Sequence, residues 1–332
     1  MPLPTRSHQV SRAHGALLAA GGLALALGLA VPLVSPLLIA MALGAAAVNI
    51  SAARRLIPAD PEAATKLLLR WGVVLLGFRL EASDLAEVGL RGVTVILLVV
   101  AVTYFASCAI GDRMGMDRGL VTMIAAGCAV CGAAAIAAVE SGIRRRTEDV
   151  ALAVALITLF GTGTLLAVPV LAQTLGLGDL QTAVWIGASI HEVAQVVAAS
   201  AIAGGVAAAV AMSVKLGRVA LLAPIYALAG ARFRTRGVET AVAARQQLVP
   251  WFVVGFLLAA AIRTAGLLPQ ASVAPLNAVA TVLLAAAMFG LGLGLDLRKL
   301  LPLNLRALAL ASVATFIAVS VSLVATTVLI TG

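Results

Sequence analysis

His191 and Glu192 stand side by side in Trp185-Ile-Gly-Ala-Ser-Ile-His-Glu-Val-Ala-Gln195, inside a run that is otherwise apolar or small. An imidazole changes charge between about pH 5 and 8 and a neighbouring carboxylate can orient it or carry the proton itself, so the pair can do acid–base chemistry. Placing a charged group in lipid costs roughly 2.5–3.5 kcal/mol on insertion scales, and chains that retain one there use it. Ser189 and Gln195 flank the pair with neutral hydrogen-bonding groups. The competing reading is a packing hydrogen bond between helices, and the interrupted apolar run weighs against it.

Lys215 and Arg218 are three apart and so share a helix face. They either attract an anion into the same cavity or snorkel to an interface. Gly127-Cys-Ala-Val-Cys-Gly132 contains a Cys-x-x-Cys, but no second ligand pair at metal spacing accompanies it, so neither a metal nor a redox centre is expected. The three cysteines are an odd set, two of them within an apolar run, and structural disulfides are not expected. Arg79 is expected to pair with Glu81, and Arg263 to snorkel.

The elements that must position these residues lie in a membrane. Of 332 residues 62% are hydrophobic and only 11% charged, and the mean hydropathy is +1.11, which excludes an ordinary soluble domain. The net charge of +9 is scattered between apolar runs rather than gathered on a groove, which argues against nucleic acid and for positive-inside topology. The longest polar connection, 232–247, is short, so residues 1–332 read as a single transmembrane domain with 1–14 a cytoplasmic tail. The run 16–34 follows Arg6 and Arg12 but is long for a signal peptide and reads as the first helix.

Apolar runs of spanning length lie at 15–34, 36–52, 67–82, 91–111, 119–141, 148–175, 182–206, 213–231, 247–266, 276–295 and 306–330. Trp71, Trp185 and Trp251 fall near run ends, as interfacial anchors do. Basic residues collect at Arg6 and Arg12, at Arg54, Arg55 and Lys66, at Arg113 and Arg118, at Arg232, Arg234, Arg236 and Arg245, and at Arg298, Lys299 and Arg306. These ends are expected on the cytoplasmic side, the amino terminus among them. Arg144-Arg-Arg146 breaks the alternation if 119–141 crosses completely. A re-entrant hairpin with its turn at 127–132 restores it, and 182–206 then forms a mirror-image hairpin from the outside. Two complete crossings are the alternative, giving nine to eleven spans in all.

Leu76-Gly77-x-x-Leu80-Glu81, with Leu85 and Leu90-Arg91, recurs as Leu291-Gly292-x-x-Leu295-Asp296, Leu300 and Leu305-Arg306 at a constant offset of 215 residues. The two copies run in opposite directions through the membrane, the inverted-repeat arrangement of secondary transporters, with halves expected at about 36–175 and 182–330. If the helix halves beginning after Gly132 and near Ser189 point their amino ends into one cavity, their N–H groups favour an anion. The fold class expected is therefore an all-α polytopic membrane protein, an inverted-repeat carrier with two interrupted or re-entrant segments. There is no Walker-type loop and no cofactor motif, so energy should come from an ion gradient or the membrane potential. An intramembrane enzyme using His191 and Glu192 is a remote alternative, since no second catalytic cluster appears; the chain is not expected to be an enzyme.

Several segments carry a family resemblance: Arg70-Trp-Gly-Val-Val-Leu-Leu-Gly-Phe-Arg79-Leu, Cys131-Gly-Ala-Ala-Ala-Ile, the His191-Glu192-Val-Ala-Gln195-Val motif, Lys215-Leu-Gly-Arg218-Val, Pro250-Trp-Phe and Met288-Phe-Gly-Leu-Gly-Leu. Over nearly the whole chain the sequence resembles the bacterial YeiH-like family, usually labelled sulfate exporters. That family is similar in turn to bile-acid symporters and cation/proton antiporters. The resemblance implies a multi-pass protein of the bacterial inner membrane and a preference for a small oxyanion, sulfate, sulfite or a sulfonate. The candidate substrate-binding residues are Gly127, Cys131, Gly132, Ser189, His191, Glu192, Gln195, Lys215 and Arg218. A proton- or sodium-coupled carrier of an organic acid stays open beside it, as does assembly into a homo-oligomer.

Overall fold

A computed structural model describes residues 6–30, 36–50, 61–79, 82–140, 142–144, 146–204, 208–233, 251–293 and 304–330. The described residues are helical, with no strand among them. The helices are α1 (Arg6–Ala30), α2 (Pro36–Asn49), α3 (Pro61–Leu76), α4 (Ala82–Arg113), α5 (Arg118–Ala129), α6 (Ala133–Glu140), α7 (Thr147–Thr174), α8 (Asp179–Ser189), α9 (Val193–Ile202), α10 (Ala208–Ala220), α11 (Leu222–Ala231), α12 (Trp251–Thr264), α13 (Gln270–Leu293) and α14 (Leu305–Leu329). Each apolar run of the sequence holds one helix or a broken pair, because in lipid only a helix satisfies its own backbone groups. Among the described residues, five helical stretches are long and apolar enough to cross a membrane, Val88–Arg113, Glu148–Thr174, Ala208–Ala231, Gln270–Leu293 and Leu305–Leu329. The chain is an all-α polytopic membrane protein. α1 begins at Arg6, inside the stretch expected as a tail, since a helix need not stop where the lipid does. The expectations for Arg54, Arg55, Glu81, Arg145, Arg234, Arg236, Arg245, Asp296, Arg298 and Lys299 lie outside the described residues.

The chain forms two compact units, each drawing on both halves of the sequence: 1–79 with 255–303, and 80–254 with 304–332. In the first, glycines bring backbones together. A Cβ on Gly21 would lie 2.7 Å from the Ala286 nitrogen of α13, and one on Gly44 would strike the Phe289 carbonyl. Small residues are how membrane helices pack closely without a hydrophobic drive. Gly77 and Gly292, the glycines of the sequence repeat, both make such contacts, with the Phe256 and Met41 carbonyls. Arg79 donates to Asn277 Oδ1 at 3.0 Å, the Asn277 carbonyl at 3.1 Å and Thr281 Oγ1 at 2.8 Å, so α13 supplies its partners.

The second unit holds the motifs. α14 serves as its ruler, a 25-residue helix about 37 Å long. α4 runs antiparallel to it, with Gly111 against Leu310 and Arg306 donating to the Met114 carbonyl. α8 is also antiparallel: Gln181 reaches the Ile330 carbonyl, Trp185 the Val319 carbonyl and His191 the Thr315 hydroxyl. α5 starts instead at the end marked by Arg113, Arg118 and Arg306, hereafter the basic end, and its Val121 packs on Gly111.

α5–α6 is a hairpin. α6 lies against α5, with Ile136 3.2 Å from where a Gly127 Cβ would be, and it leads to Gly142 beside the Tyr226 hydroxyl of α11. Arg232, the residue directly after α11, pairs with Asp112 at 2.9 Å, at the basic end. Asp149 in the first turn of α7 lies within Coulombic reach of Asp117, the N-cap of α5. The hairpin thus returns to the end where it began, which explains why Arg144 and Arg146 are basic. α8–α9 mirrors it. α10 and α11 together cover 24 residues and finish at the basic end, so Ala208 lies at the far end, and α9 stops six residues before it. Val196 and Ala199 of α9 share one core with Leu165, Val168 and Ala172 of α7 and Trp185 and Ile186 of α8.

Labelling by a membrane-impermeant thiol reagent checks the hairpins. Single cysteines replacing Arg118 and Arg144 are expected to react from one face, and cysteines replacing Asp179 and Gly204 from the other. If Arg144→Cys reacts together with Asp179→Cys, the α5–α6 hairpin is wrong.

Candidate functional site at two interrupted helices

α5 and α8 approach from opposite ends and stop at the same depth, that of Thr315, about 16 Å along α14. The first interruption is 130–132. Val130 leaves the helix at φ −107°, ψ −89°, and Gly132 turns the chain at φ +70°, its N–H donating to the Gly127 carbonyl at 2.9 Å. Only glycine suits this place, both for its left-handed backbone and because a Cβ would lie 2.7 Å from Glu192 Cγ. Gly127 remains inside α5, where a Cβ would strike Ile157. The second interruption is 190–192, with Ile190 (φ −70°, ψ 141°) and Glu192 (φ −113°, ψ 147°) extended.

A helix end leaves carbonyls without intrahelical partners, and two carboxyl ends facing each other concentrate partial negative charge, about −0.5 each. Lys215 and Arg218 of α10 answer this. The Lys215 ammonium donates to the Val130 carbonyl at 2.7 Å and the Ile190 carbonyl at 2.8 Å. The Arg218 guanidinium donates to the carbonyls of Cys128 (2.7 Å), Ala129 (2.8 and 3.0 Å), Ala188 (2.7 Å), Ile190 (3.1 Å) and Gly187 (3.5 Å). Both side chains are fully buried. They do not snorkel; their partners in this structure are backbone carbonyls, and they tie the two helix ends together. Gly187 lets α10 come close enough, since a Cβ there would strike the Ala211 carbonyl.

The amino ends of α6 and α9 meet at the same level. Glu192, only 4% exposed, accepts from the Ala133 N–H at 3.4 Å, and its own N–H donates to Gln195 Oε1 at 3.2 Å. No cation lies within ion-pair distance of its carboxylate among the described residues. Gln195 extends its Nε2 to Thr162 Oγ1 at 3.5 Å, in space left by Gly161. His191 Nε2 and the Thr315 hydroxyl are 2.8 Å apart, and Nδ1 is buried without a hydrogen-bond partner. Cys131 is nearly buried between the two ends, and the Cys128 thiol lies beside Thr315.

Of the expected site residues, the structure brings Cys131, Gly132, His191, Glu192 and Gln195 together. Gly127 acts through its carbonyl. Ser189 differs from expectation: it is the last residue of α8, not the start of a helix, and its hydroxyl donates to the Trp185 carbonyl at 2.6 Å. Trp185 is no interfacial anchor either, at 1% exposed within the core shared by α7, α8 and α9, whereas Trp71 and Trp251 are 48% and 40% exposed. Sequence reasoning missed Thr162, Thr315 and Gly161; each is a small residue in a long apolar helix, and nothing local distinguishes it.

The family described as conserved hypothetical protein 698 matches residues 15–311. A UPF0324 membrane protein of Corynebacterium glutamicum is 39% identical over 293 residues, 88% of this chain and 85% of that protein. One from Pseudomonas aeruginosa is 41% identical over 257 residues, 74% and 72% of the two chains. The UPF0324 inner membrane protein YeiH of Salmonella typhi is 36% identical over 229 residues, 68% and 66%. No solved structure matches.

Arg218→Ala leaves the carbonyls of both helix ends buried without their donor, and the expected loss is about 3–5 kcal/mol, the range for breaking a buried charged network. Thermal unfolding in detergent should show it as a large drop in Tm, with Arg218→Lys intermediate because a point charge cannot span both ends. A wild-type Tm in Arg218→Ala would show that the carbonyls need no cation.

Proposed function

The chain belongs to the family described as conserved hypothetical protein 698, and we propose that it is a secondary transporter of a small anion. Its relatives include YeiH, as the motifs indicated. The observation that carries the reading is the meeting of two re-entrant segments from opposite ends at mid-depth, with the amino ends of α6 and α9 side by side. Carriers built on inverted repeats place substrate where interrupted helices meet, and amino ends favour anions. The local charge supports an anion as well. Two cations, two carboxyl ends, two amino ends and an ionised Glu192 sum to about +1. Lys215 and Arg218 contribute as a fixed positive background, while Glu192, His191, Gln195 and the Cys131–Ala133 backbone face the ligand.

Sulfate or sulfite is the substrate class this reading favours, moved outward. An inside-negative potential favours that direction by about 2.3 kcal/mol per charge per 100 mV, so a divalent anion needs no coupled ion. In this reading the amino terminus and the basic end are cytoplasmic. One observation favours a second substrate class: the Glu192 carboxylate already rests on the Ala133 N–H, so an organic acid would find the same donor.

Flux of radiolabelled sulfate and sulfite into proteoliposomes, with and without a pH gradient and with organic acids as competitors, separates the two. His191→Ala and Glu192→Gln are each expected to lower flux by about tenfold or more with folding retained. Absence of sulfate and sulfite flux in a folded preparation removes the favoured substrate. Wild-type flux in both variants removes the site.

A further inference from the structure

α4 carries polar residues that the site does not use. Thr103, Tyr104, Ser107 and Cys108 are at most 2% exposed, and the hydroxyls of the first three are buried with no hydrogen-bond partner. Other hydroxyls of this unit bond to the preceding turn, as Thr94 does to Leu90, Thr122 to Arg118, Thr162 to Thr158 and Ser200 to Val196. Thr103 and Ser107 of α4 forgo that bond, as Thr326 of α14 does at the far end. Buried polar groups without protein partners are satisfied by water or a ligand, because leaving them unpaired is costly.

Their spacing draws two adjoining lines along α4. Thr103, Ser107 and Gly111 follow at i, i+4; so do Tyr104, Cys108 and Asp112. Gly111 fixes where the first line faces, because a Cβ there would lie 2.6 Å from Val121 of α5 and 3.0 Å from Leu310 of α14. Ser107 lies about one turn and Thr103 about two turns farther from the basic end, the latter at the level where α5 ends at Ala129. The second line ends at the Asp112–Arg232 ion pair, whose side chains are 42% and 24% exposed. Arg232 acts electrostatically on Tyr104 and Cys108, and its Nε is itself buried without a partner. The opposite face of α4, with Leu98, Val102 and Phe105, is exposed and apolar, as a lipid-facing surface should be.

We propose that the Thr103–Ser107 and Tyr104–Cys108 faces of α4 line a hydrated path from the helix interruptions to the basic end, closed at its mouth by the Asp112–Arg232 pair. Its occupants are water and a small hydrophilic anion, for which the hydroxyls and the Arg232 N–H are donors. The transport reading supplies the anion; the position of the path stands on the orphaned hydroxyls alone.

The test uses the native Cys108 in the full chain. A membrane-impermeant anionic methanethiosulfonate is applied to vesicles of each orientation, and modified peptides are quantified by mass spectrometry. Cys108 is expected to react from the basic side only, and Asp112→Ala and Arg232→Gln should each speed it about fivefold, the scale of a part-exposed ion pair. Val102→Cys on the lipid face is the reference and should stay unlabelled; the second gate variant serves if the first does not fold. Cys108 reacting no faster than Val102→Cys in wild type and both variants would overturn the path, as would reaction from the opposite side. Equal Cys108 rates in wild type and both variants would overturn the gate. The readout needs no substrate, so a chain that moves neither sulfate nor sulfite still reports on the path.

Discussion

Six carbonyl groups from two opposed helix ends converge on Lys215 and Arg218, and the second unit is arranged around that convergence. In lipid no water can take up the carbonyls that an interrupted helix leaves over, so a broken helix at mid-depth is stable only if protein donors reach it. Two such ends brought together would repel. A planar guanidinium with five donors can span both at once, and the ammonium three residues earlier shares the Ile190 carbonyl with it and adds that of Val130. Burying those two charges is itself unfavourable, and the carbonyl ring offsets it. The interruptions and the cations therefore require each other.

Committing the cations to carbonyls moves the chemistry to the other side of each break. Under the transport proposal, what is left to face a ligand is the pair of amino ends, with Glu192 between them and Gly132 leaving room for its side chain. Glu192 rests on the Ala133 N–H, and His191 next to it is fixed through Thr315, so the proposed anion site and the titratable pair coincide. The spacing of Lys215 and Arg218 signals a shared face, but not whether backbone or substrate lies against it; in this structure the face meets backbone carbonyls.

Much of this was legible in the sequence. Helix positions followed from apolar runs, because hydropathy and backbone satisfaction coincide in lipid. The α5–α6 hairpin followed from Arg144 and Arg146, whose charge contradicts a complete crossing, and Gly127–Gly132 located its turn to within a few residues. Other features were illegible on physical grounds. Trp185 is near a run end in sequence, but α8 stops at mid-depth and α14 and α7 cover it, so proximity to an end did not mean proximity to an interface. Ser189 reads the same whether it closes one half-helix or opens the next. Thr315, which holds His191, is 124 positions away and unremarkable among its neighbours.

The two hairpins are alike in backbone but not in surroundings. Toward the far end, α8 and α9 pack with Leu165, Val168 and Ala172 of α7 in one apolar core, beside which the Thr326 hydroxyl of α14 is the one orphan among the described residues of that end. Toward the basic end, α5 is flanked by the orphaned hydroxyls of α4 and by an ion pair. A symmetric carrier at its midpoint would have equal surroundings on both sides of its site. Under the transport proposal, the orphaned α4 hydroxyls in line toward the basic end, set against the apolar core toward the far end, are the kind of asymmetry that alternating access asks of each of its states.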